Sequence, residues 1–326
     1  MHVLDDILAS LRFSGGVVFD AVTHGDWCLV SQFRPEDCAP YFPVPGRIIS
    51  YHYVRKGVLY TQIPGQEVVE LREGSMVMFP RNDVHHLFTR PGQTPTDIAQ
   101  YVTPGAGGAL NAIAMDFGGE EASLFCGWLG VINGAHPLLD ALPPLLLVKR
   151  DDYAADWIAS SLSVAARDWS SSPAMVAKIS ELFFAQAARR YADSFGEGQG
   201  GWLAGLRDPA VARALSVIHA RYADDLDVDT LAREAGVSRT VLGERFGRLL
   251  GEPPMRYCAR WRMQVAVSRL LDGDGAAAAI APDIGFSSEA AFNRAFKREY
   301  GEPPAAWKRR VDAETDLARV AHAADA

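Results

Sequence analysis

Two stripes of side chains near the C-terminus are suited to reading nucleic acid. One comprises Arg239, Thr240, Gly243, Glu244 and Arg248; the other comprises Glu289, Ala290, Asn293, Arg294 and Lys297. Arginine and asparagine can bond base edges in the major groove, glutamate can accept from cytosine N4, and serine, lysine and further arginines suit phosphate oxygens. On that division Arg239, Thr240, Glu289, Asn293 and Arg294 are expected at base edges, with Ser238, Arg248, Ser288 and Lys297 at the backbone. Glu244 has a second role open to it, an intrahelical pair with Arg248 at i+4, and that role is favoured. Gly243 costs its helix about 1 kcal/mol relative to Ala and would let the main chain approach DNA closely.

The elements that hold these stripes occur twice. Phe246-Gly-Arg-Leu-Leu-Gly-Glu-Pro-Pro254, followed by Tyr257, returns as Phe296-Lys-Arg-Glu-Tyr-Gly-Glu-Pro-Pro304, followed by Trp307, with the Gly-Glu-Pro-Pro blocks fifty positions apart. A repeat of this period is one supersecondary unit used twice. In the first copy Leu231, Ala232 and Ala235 give a short helix an apolar face, Gly236 stops it, and Ser238 caps the next. Leu242, Phe246 and Leu249 turn inward at helical spacing. The second copy has Ile280, Ile284 and Gly285, then Phe292, Phe296 and Tyr300 inward, with a turn one residue longer. This spells a duplicated helix-turn-helix, able to reach successive major grooves about 34 Å apart over a connector at Met255–Leu271. An ordinary helical domain with polar faces is the alternative, but duplication, caps and breakers all argue against it.

Residues from about Pro209 to Arg310 resemble the DNA-binding domain of the AraC/XylS transcription regulators. The second-unit signature is matched by Gly285-Phe-Ser-Ser-Glu-Ala-Ala-Phe-Asn-Arg-Ala-Phe-Lys-Arg-Glu-Tyr-Gly301 with Pro304. Three positions depart from it. Pro282 should bend or shorten its helix, Glu244 stands where a basic or amide residue is usual, and Gly243 lies beside it.

Charge divides along the chain. Between Arg233 and Arg310 fourteen Lys/Arg stand against nine Asp/Glu, a balance of +5, and the total of −8 leaves −13 elsewhere. Phosphate repels the acidic part, so it is expected to regulate or dimerise. A length of 326 residues and 48% apolar content suffice for two domains. No long apolar run and no signal peptide are read, so a cytoplasmic protein is expected. Cys28, Cys38, Cys126 and Cys258 form no CxxC pair, which implies neither a zinc motif nor a disulfide framework.

The first half is rich in short strands: Ile48–Val54, Val58–Ile63, Glu67–Leu71 and Ser75–Phe79, separated by Gly or Pro turns, which suggest a small barrel or jelly roll. From Asp151 helices are expected at Tyr153–Trp169 and Ala174–Tyr191, the latter made greasy by Leu182, Phe183 and Phe184, as suits a packed core or a dimer seam. Gly196–Gly201 reads as a flexible linker, and the tail after Val311 as frayed.

Within the strands, Gly46, His52, Gly74, Pro80 and His85 resemble the cupin pattern, with Asn82 in place of a glycine. The pattern's second histidine is Val54 here and its glutamate is missing, so two ligands survive. A closed or catalytic metal centre needs more; His24, His86, Glu67 or Cys126 are the candidates to complete it. A divalent metal is thus a weak expectation beside histidines that are structural or line an organic-ligand pocket. Leu4-Asp-Asp-Ile-Leu8, Trp27, His52-Tyr-Val54, Pro80–His85, Cys126-Gly127 and His136–Pro143 resemble the cupin-type sensor domain of one AraC subgroup. That resemblance implies an effector-sensing, dimerising domain, in some relatives responsive to oxidants through cysteines. Cys28 and Cys126 are the redox candidates, although their apolar neighbours favour inert thiols.

The expected fold is multidomain α+β. A cupin-like β-barrel (jelly roll) at 1–150 precedes a helical dimerisation segment at 151–195, a linker at 196–208, an all-α domain of two helix-turn-helix units at 209–310 and a flexible acidic tail at 311–326. The expected function is a transcription regulator and not an enzyme, controlled by a small molecule or oxidant, with activation and repression both left open by the sequence. Its expected partners are double-stranded promoter DNA, an effector, RNA polymerase and a second copy of itself, without a membrane. A metal-dependent cupin enzyme fused to a DNA-binding domain is the alternative.

Overall fold

A computed structural model describes residues 3–38, 44–103, 111–132, 136–149, 160–161, 173–194, 201–273 and 277–324. Most of the expected helix at 153–169, and the first part of the linker expected at 196–208, lie outside these residues; the rest of that linker is not free chain but includes a short helix, Trp202–Gly205, with Trp202 and Leu203 buried. The chain separates into two compact units. One comprises Met1–Arg12, Ala135–Ala141 and Tyr191–Asp316; the other comprises Phe13–Gly134, Leu142–Arg190 and Leu317–Ala326.

The β-rich unit contains β1 (Phe13–His24), β2 (Cys28–Ser31), β3 (Arg47–Lys56), β4 (Val58–Gln62), β5 (Val69–Arg72), β6 (Met76–Phe79), β7 (His85–Phe88), β8 (Val102–Thr103), β9 (Asn111–Asp116), β10 (Glu121–Val131) and β11 (Leu146–Val148). They form a seven-stranded sheet, β11-β6-β3-β10-β1-β9-β8, and a four-stranded sheet, β2-β7-β4-β5. Of the expected barrel or jelly roll, the two-sheet arrangement is the one found; the described strands do not close into a single ring. Both contribute to a single core that includes Phe19, Leu29, Leu59, Leu87, Ile113 and Trp128. Residues Ile48–Val54 of β3 are all buried. That explains why its sequence runs apolar without alternation: a central strand covered on both faces has no solvent side.

Gly127 is dictated by its neighbour. Tyr51 lies opposite it on β3, and a Cβ at Gly127 would come within 2.6 Å of the Tyr51 ring and 2.3 Å of the Val17 carbonyl. The space allows the Tyr51 hydroxyl to reach Ser180 Oγ at 3.1 Å. Ser180 lies on helix Pro173–Ser194, after α1 (Val3–Ser10) and α2 (Pro137–Ala141) the next described helix and labelled α3. Phe183 and Phe184 are buried while Leu182 is exposed, so the two phenylalanines serve the core, with Phe184 edge-on to Phe13.

The helical unit holds α4 (Trp202–Gly205), α5 (Pro209–Arg221), α6 (Val228–Ala235), α7 (Arg239–Leu250), α8 (Pro254–Asp272), α9 (Ala277–Asp283), α10 (Glu289–Tyr300) and the start of α11 (Pro304–Ala324). It also takes α1 and α2, which the sequence pattern places in the first 150 residues. The apolar face of α1, with Ile7 buried, is covered by helices. His136 Nδ1 accepts from Leu138 N at the start of α2. Its Nε2–H then donates to Ser10 Oγ at 2.9 Å, and Ser10 donates to the Ile7 carbonyl. Arg12 pairs with Asp272 at 2.6 Å.

The tail expected to fray after Val311 is instead helical to Ala324. No Gly or Pro follows Pro304, and the pairs Lys308–Asp312 and Arg310–Glu314 at i, i+4 support the helix.

Candidate nucleic-acid interface and sensor cavity

The two candidate reading helices, α7 and α10, are built alike. Asp227 caps α6, and Gly236 ends it in the left-handed conformation at φ 72°. Ser238 Oγ accepts from Val241 N to start α7, and Ser288 Oγ accepts from Ala291 N to start α10. Each serine oxygen is thus spent on its helix, and its hydroxyl proton stays available to a phosphate. Leu242 and Phe246 bury one side of α7, as Phe292 and Phe296 do on α10, while Leu249 and Tyr300 are only half-buried. Ser238, Arg239, Thr240, Glu244, Arg248, Ser288, Glu289, Arg294 and Lys297 are exposed, and Asn293 is half-buried. Pro282 accompanies a short α9 of seven residues.

The expected Glu244–Arg248 pair is absent among the described ion pairs. Such an exposed pair is worth a few tenths of a kcal/mol, too little to hold two long side chains together. Arg239 instead lies 3.7 Å from Asp229, with both groups exposed. A Cβ on Gly243 or Gly247 would meet nothing within 4 Å, so packing requires neither glycine.

Each residue of the repeated Gly-Glu-Pro-Pro has a duty. Gly251 and Gly301 stop α7 and α10 at φ 75° and 81°. Pro253 O and Pro303 O accept the first amides of α8 and α11, which Pro254 and Pro304 begin. The glutamates hold an arginine eight residues on, Glu252 with Arg260 and Glu302 with Arg310. Tyr257 and Trp307 are buried in equivalent places.

Sequence reasoning missed the joint between the copies. Arg262 on α8 donates from Nε to the Tyr222 carbonyl at 2.6 Å, from Nη2 to Asp224 O at 2.8 Å and from Nη1 to Gly285 O at 3.0 Å. Gly285 has φ +80°, and a Cβ there would sit 2.6 Å from Ala223 O and 3.0 Å from Arg262 Cζ. A guanidinium on the connector thus fastens the first unit's α5–α6 loop to the second unit's turn. The arginine lies inside the connector, but its partners are forty, thirty-eight and twenty-three residues away, so no local pattern shows the contact.

The β-rich unit holds an apolar pocket that opens to solvent. Phe19, Trp27, Phe33, Leu87, Met115 and Leu124 contribute to its wall, as do His52 and Cys126. His52 on β3 lies opposite Cys126 on β10, and His85 on β7 comes from the other sheet. Their hydrogen bonds form a chain with one proton order. His85 Nδ1 lies 2.9 Å from the Asp83 carbonyl, which only accepts, so Nδ1 carries a proton. His85 Nε2 then accepts from His52 Nε2–H at 2.8 Å, and His52 Nδ1 accepts from the Cys126 thiol at 3.1 Å. Burial drives this neutrality. It holds His52 well below the usual imidazole range, with His85 adding to the effect, and lowers His85 to about 4 against its Asp83 bond. Cys126 is pushed up to about 12, chiefly by burial.

A cupin metal does not fit these donors. The histidines meet through their Nε2 atoms, whereas Cys126 faces the opposite nitrogen of His52, so the three do not converge on one point. Glu67 is exposed, and no cluster of three potential ligands occurs among the described residues. Of His24, His86, Glu67 and Cys126, only Cys126 bonds to the histidine pair. Asn82 replaces the pattern's glycine in kind: its φ is 53°, a left-handed conformation that asparagine tolerates, and its side chain bonds the Phe33 main chain in both directions. Cys28 and Cys126 are buried thiols, and burial raises both pKa values.

Comparison with known proteins finds two family models along the chain. A family model described as Cupin matches residues 2–193, and one described as Helix-turn-helix domain matches residues 231–310. An AraC-like transcription regulator of Streptomyces lividans is 30% identical across 95% of this chain and 98% of its own. A protein of the same description from Streptomyces antibioticus is 29% identical across 95% and 99%. RclR of Escherichia coli K12, an RCS-specific HTH-type transcriptional activator, is 22% identical across 81% and 85%.

Proposed function

Because the chain belongs to the AraC-like transcription regulators, with a cupin domain in its N-terminal part, we propose that it binds promoter DNA through α7 and α10 and is controlled by a small molecule in the sensor cavity. The observation that carries this reading is the pair of serine-capped helices whose polar stripes stay exposed while one arginine fastens their units together. Arg239, Thr240, Glu289, Asn293 and Arg294 take base edges; Ser238, Arg248, Ser288 and Lys297 take phosphates. Glu244, free of Arg248, is available to a cytosine amine. Effector binding shifts the protein between DNA-competent and incompetent arrangements by its differential affinity for the two.

The protein acts in the cytoplasm as a homodimer through residues 151–195 and works with RNA polymerase as an activator. No described helix is long and apolar enough to cross a membrane. A metal-dependent cupin enzyme would need further ligands at His52 and His85, and the described residues do not bring them there. The test is binding to the DNA flanking the protein's own gene across a salt series, against unrelated DNA of equal length. A specific complex whose affinity falls steeply with salt is expected. Arg294→Ala is expected to cost about 1–3 kcal/mol of specific binding without unfolding the protein; equal affinity of variant and wild type refutes that assignment.

A further inference from the structure

Glu244 is the one acidic residue of α7, and its contacts within the protein do not account for it. Among the described residues it has no ion-pair partner. The basic residues of the same helix are held elsewhere or stand apart. Arg245 bonds both carboxylate oxygens of Asp208, at 3.2 and 3.1 Å, Arg239 lies 3.7 Å from Asp229, and Arg248 at i+4 forms no pair with Glu244. Helix electrostatics give no reason for it either. Glu289, the acid of the other stripe, stands in the first turn of α10 and gains from the helix N-terminus. Glu244 is the sixth residue of α7, beyond the turn over which that effect acts. Its surroundings are open. Leu242 and Phe246 are buried, whereas Glu244 is exposed, and a Cβ on Gly243 beside it or Gly247 one turn on would meet nothing within 4 Å.

A carboxylate carried into the major groove loses water and comes near two phosphate backbones, so it weakens binding unless a base supplies a donor. The groove presents two such donors, cytosine N4 and adenine N6. Adenine carries the N7 acceptor beside its amine, which repels the second carboxylate oxygen, and cytosine has no acceptor there. We propose that Glu244 fixes one cytosine in the half of the operator bound by α7, and that it does so chiefly by excluding the other three bases. This rests on the reading that α7 lies in the major groove, and it names the base which that groove must present at one position. The bare main chain at Gly243 and Gly247 lets α7 approach closely enough for the glutamate to reach a base edge. Arg248, unpaired with Glu244, neither neutralises the carboxylate nor relieves its demand for a donor.

Selection of binding sites from a random duplex library tests this on the full-length wild type, Glu244→Gln and Glu244→Ala, followed by affinities for the four single-base versions of the selected site. The wild type is expected to prefer cytosine at one position by roughly 5- to 150-fold over each other base. Glu244→Gln is expected to move that position alone to adenine, because an amide matches N6 and N7 together. Glu244→Ala is expected to bring the four bases within about threefold of one another at that position and to bind unrelated DNA more tightly than the wild type, since a charge repelled by phosphate is gone. A merely structural role would weaken all sites alike and move no base preference. The proposal is overturned if the responding position holds a base other than cytosine in the wild-type site, if no position responds to either substitution, or if Glu244→Ala weakens all four versions equally. Arg294→Ala on α10 separates this failure from that of the underlying reading: a changed preference at another position with none attributable to Glu244 refutes the cytosine assignment alone, whereas a wild type that selects no sequence refutes both.

Discussion

Replacing Arg262 with alanine is expected to loosen the two helix-turn-helix units from each other before it disturbs either one. The side chain makes three charge-assisted bonds to the carbonyls of Tyr222, Asp224 and Gly285. Bonds to a charged group contribute about 1.5–3 kcal/mol each, but Arg262 is half-buried and the Asp224 bond is exposed, so water replaces part of what is lost. The expected loss is about 3 kcal/mol. For a helical unit of this size, that corresponds to a fall of roughly 10–20 °C in midpoint. Arg262→Lys is expected to recover only a minor part, because an ammonium group cannot match a planar fork aimed at three separate carbonyls.

Thermal and urea unfolding of the full chain, followed by tryptophan fluorescence, measures the stability loss. DNA binding supplies the second readout. Joining two binding modules in a fixed geometry raises affinity by about 10²–10⁴ over either alone. Arg262→Ala is therefore expected to weaken binding to a full operator by at least about tenfold, with a much smaller effect on DNA that engages a single unit. A variant within about 0.5 kcal/mol of wild type, or one losing equal affinity for full and half operators, refutes the role of Arg262 as the joint.

Gly243→Ala is expected to stabilise the protein by about 1 kcal/mol, because the added methyl meets nothing within 4 Å and the helix gains propensity; weaker operator binding by the same variant would show that α7 approaches DNA through this bare face, whereas unchanged binding excludes it. Lowering the pH is expected to destabilise the β-rich unit. Below about 6.5 the unfolded chain protonates His85 while the folded chain resists down to about 4, so stability falls across that window by on the order of 3 kcal/mol, with His52 adding in the same direction. Urea titrations from pH 7.5 to 4.5 on wild type and His85→Gln check this, and identical pH slopes would refute it. Iodoacetamide is expected to modify Cys28 and Cys126 slowly in the native protein at pH 7.5 and quickly after unfolding, since burial raises both thiol pKa values; rapid native labelling at Cys126, read by mass spectrometry, would contradict the buried-thiol assignment.

Most of the helical unit is legible in the amino-acid sequence. Ser238, Gly236, Gly251 and Gly301 act within a few residues of themselves, through capping bonds and left-handed turns, so their types and spacing determine the ends of α6, α7 and α10. The inward faces carried by Phe246, Phe292 and Phe296 follow from helical periodicity for the same reason. The short strands are likewise readable, but not their division into two sheets. That depends on pairings such as β1 with β10, about a hundred residues apart, whose stability comes from the common core.

Packing between distant segments settles the rest. It turns two suspected metal ligands and a suspected redox cysteine into one neutral chain, because β3, β7 and β10 bring His52, His85 and Cys126 together with the wrong nitrogens facing for a shared ion. It leaves Glu244 and Arg248 unpaired despite suitable spacing, places α1 and α2 with the helices, and sets Arg262 across the joint. Sequence determines interactions that close within a helical turn; those made between distant segments are fixed only when packing settles which atoms face each other and which are denied water.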